Sequence, residues 1–138
     1  MLNVRDAALA KSIALPAAAG SVHSAALDLE GGQYDIVVGN MEVSIEAPAL
    51  TTAQLPDGCT AAYVLEASET PGFEDPGSMP LFSQEGEGGE GAAARAFSFR
   101  LPADCGRYLR LTITTADAVD ETPVGDCSAA SAPFGLRF

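Results

Sequence analysis

The sequence has little positive charge. Its 138 residues contain 7 Lys and Arg against 19 Asp and Glu, which gives a formal net charge of −12. The one lysine and six arginines are scattered, so the chain has no basic stripe, and a surface this acidic repels phosphate backbones and anionic headgroups. We therefore predict that neither nucleic acid nor a membrane surface is a partner.

Long apolar runs are also missing. Stretches such as residues 13–19 are well short of the ~20 residues that a membrane helix needs. Asp6 and Lys11 interrupt what would be the apolar part of a secretory signal, so none is expected. The three cysteines are an odd number and have no paired C-x-x-C spacing. They predict free thiols in a reducing compartment and argue against a disulfide framework or a zinc site.

The chain offers little that points to catalysis. His23 is the only histidine, and no G-x-S-x-G signature accompanies it, so we interpret it as an exposed loop residue. Carboxylates are frequent at 69–75 and 117–126, but they lack the residue order of a calcium loop. Because there are so many, no one pair stands out as a glycosidase pair. By elimination, binding or scaffolding is favoured over catalysis.

What the sequence does contain is frequent punctuation. Its 14 glycines and 9 prolines separate short segments in which apolar and polar residues alternate, a pattern typical of many short β-strands. The alternation is clearest at residues 41–47, and it recurs at 95–101 and 107–115. The predicted strands are residues 25–29, 34–38, 41–47, 62–67, 95–101, 107–115 and 134–138, with 54–55 as a short extra strand. We therefore predict an all-β, two-sheet antiparallel sandwich.

Two segments fall outside this pattern. We interpret residues 1–20 as a flexible N-terminal arm, with one or two helical turns at most, because its alanines offer little to bury except against another surface. Residues 21–138 then form a single β-sandwich domain. Residues 68–94 are its longest irregular stretch, and the low-complexity EGEGGEG core at 85–91 predicts a mobile, solvated acidic loop.

The chain as a whole resembles the capsid cement (decoration) proteins of short-tailed Bordetella-type bacteriophages. The resemblance covers all 138 residues and includes MLNVRDA at 1–7, MEVSIEA at 41–47 and FGLRF at 134–138. It implies a jelly-roll sandwich that binds, as homodimers, to the outer surface of an icosahedral head assembled in the bacterial cytoplasm. There it would clamp neighbouring major capsid protein subunits against internal DNA pressure. It implies no enzymatic activity, cofactor or metal.

On this reading, contacts with the shell or within a dimer concentrate in the arm, the C-terminal strand and the arginines. The C-terminal strand is interpreted as an edge or core strand in preference to an exposed anchor. The candidate contact residues are Leu2, Val4, Leu9, Ile13, Leu15, Phe134, Leu136, Phe138, Arg95, Arg100, Arg107 and Arg110.

Two other functions stay open at this point. One is a carbohydrate-binding or receptor-binding module, in which a groove lined by Tyr34, Tyr63 or Tyr108 would stack on a sugar, since the chain has no tryptophan. The other is a small hydrolase that uses an acidic pair. Both need a concave site that the sequence does not indicate.

Overall fold

The computed structural model describes residues 10–28, 42–74, 76–100 and 108–137, and every regular element among them is a β-strand. Within these ranges no helix is long and apolar enough to cross a membrane. The strands are β1 (Ala10–Ala14), β2 (Gly20–His23), β3 (Leu27–Asp28), β4 (Glu42–Ala47), β5 (Thr60–Ser68), β6 (Gly77–Glu85), β7 (Arg95–Arg100), β8 (Tyr108–Ala116) and β9 (Ser131–Arg137).

The strands form two antiparallel sheets. One has the order β1-β9-β4-β7, and the other has the order β2-β8-β5-β6, with β3 pairing to β8 beyond the end of β2. The pairs β1·β9, β2·β8, β4·β7 and β5·β6 are those of one long hairpin whose two arms are rolled into two sheets. This is the jelly-roll topology, and it confirms the predicted fold class.

The core lies between the sheets because alternate residues of each strand face inward. On β8, Leu109, Leu111 and Ile113 are completely buried. Val43 and Ile45 of the opposite sheet belong to the same buried cluster and are at most 1% exposed. The alternation that predicted these strands is thus the alternation that builds the core.

Most predicted strands are present with shifted ends. The predictions for 41–47, 62–67, 95–101, 107–115 and 134–138 correspond to β4, β5, β7, β8 and β9. Of the strand predicted at 25–29, Leu27–Asp28 is present and residues 25–26 are not in a strand, while residue 29 and the strand predicted at 34–38 lie outside the described residues. The extra strand at 54–55 is wrong, because the amides of Gln54 and Leu55 both donate to the carbonyl of Thr51 in a tight turn.

The structure corrects the arm at residues 10–20. Ala10–Ala14 is an edge strand in register with β9, and Ile13 and Leu15 enter the core with 7% and 2% exposure. The predicted helical turns are therefore wrong there, since the two-residue spacing of Ile13 and Leu15 fits a strand that buries one face. Residues 1–9, with Leu2, Val4 and Leu9, lie outside the described residues.

The predicted irregular loop at 68–94 also needs correction. Gly77–Glu85 is a nine-residue strand paired along β5, with a bulge opposite Tyr63 and Val64. Its first four residues are all exposed, so the segment shows none of the alternation that identifies a half-buried strand. Pairing with β5, rather than burial of its own side chains, makes it a strand.

Candidate functional site

A polar cluster lies on the outer face of the five-stranded sheet. Strand register places His23 of β2 beside Thr112 of β8, and Arg110 of β8 beside Glu66 of β5. The Thr112 hydroxyl donates to Glu66 Oε1, and it lies 2.8 Å from His23 Nδ1. Because the hydroxyl proton is committed to Glu66, the imidazole donates from Nδ1 to Thr112 Oγ1. We call His23, Glu66, Arg110 and Thr112 the outer-face cluster.

The carboxylate of Glu66 is the centre of this cluster. Arg110 Nε donates to Glu66 Oε1 at 2.9 Å, and the Glu66 side chain is only 13% exposed. Burial raises the pKa of Glu66, but hydrogen bonds from Thr112 and Arg110 and the charges of Arg110 and His23 outweigh it, so the pKa lies below its usual range. Glu66 is therefore ionised at neutral pH.

The outer-face cluster fixes side chains without completing a nucleophilic site. The prediction of a loop position for His23 is wrong, since it ends β2 and its ring is held by Thr112. Ser21, two residues earlier on the same face, is bonded to Thr114 Oγ1 at 2.7 Å and not to His23. The geometry supports a structural role in which three strands are linked across their outer face.

Glu66→Gln tests this role through the pH dependence of stability. A carboxyl with a lowered folded pKa stabilises the native state above its unfolded value of 4.5, and that stabilisation is lost as pH falls through the folded pKa. We expect the variant to be about 1–2 kcal/mol less stable at pH 7, with the difference from wild type disappearing near pH 2–3. Urea unfolding at both pH values measures it.

Glu46→Gln is the matched control, because Glu46 is an exposed carboxylate on β4. We expect it to stay within about 0.5 kcal/mol of wild type at pH 7. Equal losses at pH 7 and at pH 2–3 for Glu66→Gln would contradict an ionic contribution.

The candidate contact arginines behave differently from one another. Arg110 has partners within the chain, since it donates to Glu66 and also covers the Phe73 ring at 4.2 Å, and its role as an intersubunit contact stays a prediction. Arg95 and Arg100 are exposed at the two ends of β7. Arg95 also lies over the Phe82 ring at 4.8 Å.

Three of the eight apolar contact candidates are core residues. Ile13, Leu15 and Phe134 are at most 7% exposed, so their prediction as surface contacts is wrong, whereas the interpretation of the C-terminus as a core strand holds for Phe134. Leu136 lies on β9 opposite Val43. Arg107 and Phe138 lie outside the described residues.

A groove of about 670 Å³ lies between the start of β7 and the 85–91 turn, and its lining includes Arg95, Glu85, Glu87 and Glu90. Gln84 also lines it. Nothing in the local sequence pattern indicates this groove, because its walls come from two segments, residues 49–51 and 83–95, that are brought together only by the fold.

Gln84 links β6 to the segments that follow β4 and precede β7 of the other sheet. Its Nε2 donates to the carbonyls of Pro48 at 2.8 Å and Ala93 at 3.1 Å, and its Oε1 accepts from the Tyr63 hydroxyl at 2.8 Å. Tyr63 is completely buried, and burial together with the nearby Cys127 raises its pKa. The prediction that Tyr63 lines a sugar groove is therefore wrong. Tyr34 is outside the described residues, and Tyr108 is half-buried.

Of the large apolar side chains that the structure describes, the most exposed lies in a turn held by hydrogen bonds. Val119 is fully exposed in the acidic turn, by which we mean residues 117–122. The Ala118 amide donates to Thr122 O, and the Asp117 carboxylate accepts from the Val124 amide, both at 2.9 Å. The Asp120 carboxylate accepts from the Thr122 amide, and hydrogen bonds from the Thr122 side chain and then from this amide lower the pKa of Asp120. The carboxylates of Asp117 and Asp120 thus help to hold the turn in shape.

The described thiols are buried and free. Cys59 and Cys127 have no exposed surface, and burial, followed by the charge of Asp126, raises the pKa of Cys127. Cys105 lies outside the described residues. Among the side chains that the structure describes, no group of three or more His, Cys, Asp or Glu could hold a metal ion.

The strand order defines the class of protein as a jelly-roll β-sandwich. No protein-family model and no curated protein matches the sequence. Among solved structures, similarity is found to the cowpea mosaic virus empty virus-like particle at 14% identity, covering 100% of this chain and 81% of that chain, with a TM-score of 0.45.

Naturally occurring empty particles of the same virus match at 13% identity over 99% of this chain and 82% of that chain, with a TM-score of 0.42. The xylanase 10B CBM22-1–GH10 modules of Clostridium thermocellum match at 10% identity over 96% of this chain and 26% of that chain, with a TM-score of 0.41. Likenesses at this level support no conclusion about function, and the fold follows from the strand pairing itself.

Proposed function

We propose that the protein is a structural attachment module, without catalytic activity, that binds the outer surface of an icosahedral phage head and clamps neighbouring major capsid protein subunits. The resemblance of the whole sequence to capsid cement proteins supports this function. It also supports action as a homodimer, with assembly in the host cytoplasm.

The observation that carries the proposal is the acidic turn. A fully exposed β-branched apolar side chain at the tip of a turn held by backbone and carboxylate hydrogen bonds is a preorganised contact, which loses little conformational freedom on binding. Such a projection fits a small apolar depression with a basic rim on a partner. A cement protein needs contacts of this kind, each of modest strength and repeated by the symmetry of the shell.

Sedimentation with heads that lack the protein tests the proposal. We expect the full-length chain to cosediment with heads and to raise the temperature at which they release DNA. Val119→Asp should weaken retention at least tenfold, because a charge replaces the apolar tip, while the domain stays folded since Val119 packs against nothing.

Ala129→Asp is the control, since it adds the same charge at an exposed position in another turn of the β8–β9 connection. It should be retained like wild type. Absence of wild-type binding would refute the proposed function. Normal binding by Val119→Asp would show that the acidic turn is not part of the interface.

The N-terminal contacts remain part of the proposal for residues 1–9, which carry Leu2, Val4 and Leu9. Removing these residues keeps β1 and its core side chains, so the truncated protein should fold. Its retention on heads measures what this segment contributes.

A further inference from the structure

Among the strands that the structure describes, the two sheets have four edges, and three of them are protected against pairing with another strand. β6 carries Pro80, which lacks an N–H, and a bulge beside it. The edge formed by β2 and β3 is interrupted at Ser24. The Ser24 amide donates to the Leu111 carbonyl, and the Ser24 hydroxyl oxygen accepts from the Leu111 amide. β1 has the charged Lys11 on the same side as the core residue Ile13, and an inward-directed charge is another such protection.

β7 is the exception. Its six residues run in unbroken register with β4, from Glu42 opposite Arg100 to Ala47 opposite Arg95, without proline or bulge. Within residues 10–28, 42–74, 76–100 and 108–137, no strand pairs with its other edge. In an antiparallel strand about half of the N–H and C=O groups point away from a given neighbour, so this edge presents a row of main-chain donors and acceptors.

The charges on β7 define what can pair there. The strand reads RAFSFR, with an exposed arginine at each end and no carboxylate, on a chain with a net charge of −12. A second copy of β7 that paired here would supply no carboxylate, and the two arginines of each copy would lie close together along the paired strands. On its occupied edge, β7 faces a strand with Glu42 opposite Arg100 and Glu46 opposite Ala96. Cross-strand pairs of opposite charge stabilise a sheet, and pairs of like charge destabilise it.

We propose that the open edge of β7 accepts an extended strand from another protein, with Asp or Glu opposite Arg95 and Arg100 and apolar residues opposite Phe97 and Phe99. The added strand extends the four-stranded sheet to five. Main-chain hydrogen bonds supply the affinity, and the two arginines select acidic partners. The inference rests on the proposed function only for the source of the strand, which would then be a major capsid protein subunit.

The test uses two fluorescein-labelled peptides and the full-length chain. The acidic peptide AEVSIEEA has the β4 sequence with Glu in place of its last alanine, so that a Glu faces each arginine in the register of the occupied edge. The comparison peptide AKVSIEKA places Lys at those two positions. We expect the acidic peptide to bind with a Kd in the millimolar range or below and about tenfold more tightly than the lysine peptide. Attraction to the net charge of −12 would give the opposite order.

The double variant Arg95→Glu with Arg100→Glu should reverse this preference. Arg100→Gln, which leaves the contact of Arg95 with Phe82 intact, should reduce it several-fold and serves if the double variant fails to fold. Amide hydrogen exchange should slow on peptide binding only along β7. Absence of acidic-peptide binding, an unchanged preference in Arg100→Gln, or protection elsewhere overturns the inference. Since no heads are involved, that result leaves the proposed function to be judged by sedimentation.

Discussion

Gln84→Leu should lower the melting temperature by about 10–15 °C, corresponding to a loss of about 3–4 kcal/mol of unfolding free energy. Leucine fills a similar volume but leaves the buried Tyr63 hydroxyl and the carbonyls of Pro48 and Ala93 without the partners that Gln84 provides. A buried polar group without a partner costs about 1–3 kcal/mol. Because Tyr63 is completely buried, water cannot easily replace the bond that its hydroxyl loses. Thermal and urea unfolding measure the effect.

A double-mutant cycle with Tyr63→Phe makes this prediction sharper. Tyr63→Phe alone should cost about 1–2 kcal/mol, since Gln84 keeps its two carbonyl partners. The double variant should be more stable than Gln84→Leu alone, because the orphaned hydroxyl is gone. Ser83→Ala, at an exposed neighbouring position, should match wild type. A Gln84→Leu protein within about 1 kcal/mol of wild type would show that the link between the sheets is dispensable.

Local patterning predicted the strands that bury one face. On β4 every second residue is buried, and on β8 the alternating apolar residues Leu109, Leu111 and Ile113 are buried, with Thr112 buried between them on the outer face. Local patterning did not predict β6, because its first four residues are exposed and include Gly77 and Pro80. Nothing in the sequence of β6 itself therefore distinguishes it from a loop. Its strand conformation depends on pairing with β5, which a local pattern does not encode.

The candidate sites depended still more on distant pairing. Glu66 and Arg110 are 44 residues apart, and only the register of β5 and β8 makes them neighbours. The carboxylates of the acidic turn were visible in the sequence, but their hydrogen bonds to backbone amides, which fix Val119, were not. Composition predicted an acidic surface correctly while saying nothing about which carboxylates stabilise local structure.

The 85–91 segment shows the same limit of composition. Its glycines and glutamates predicted a mobile loop, yet the turn is closed by hydrogen bonds from Glu87 N to Gly91 O and from Glu90 N to Glu87 O. Asp57 accepts from the Gly89 amide at 2.8 Å, which ties the turn to the connection between β4 and β5. The glycines of such a segment are therefore not equivalent, and substitution can distinguish them.

Gly91→Ala should cost about 3–5 kcal/mol, while Gly88→Ala should cost about 1–2 kcal/mol. Both glycines have positive φ, +71° and +63°, so both substitutions carry the penalty of a left-handed conformation. At Gly88 the added Cβ meets nothing within 4 Å, whereas at Gly91 it would lie 2.1 Å from the carbonyl oxygen of Leu50. Relief requires the backbone to move apart, which breaks the paired 2.9 Å hydrogen bonds between Leu50 and Ala92.

Urea unfolding of the two variants measures the difference directly. Since the conformational penalty is common to both, a gap of about 2 kcal/mol or more between them reports the close approach of Gly91 to Leu50. The amide protons of Leu50 and Ala92 should also exchange faster in Gly91→Ala and not in Gly88→Ala, because only the first variant opens that bridge. Equal stability losses with unchanged exchange would mean that the turn moves freely, as its composition alone predicts.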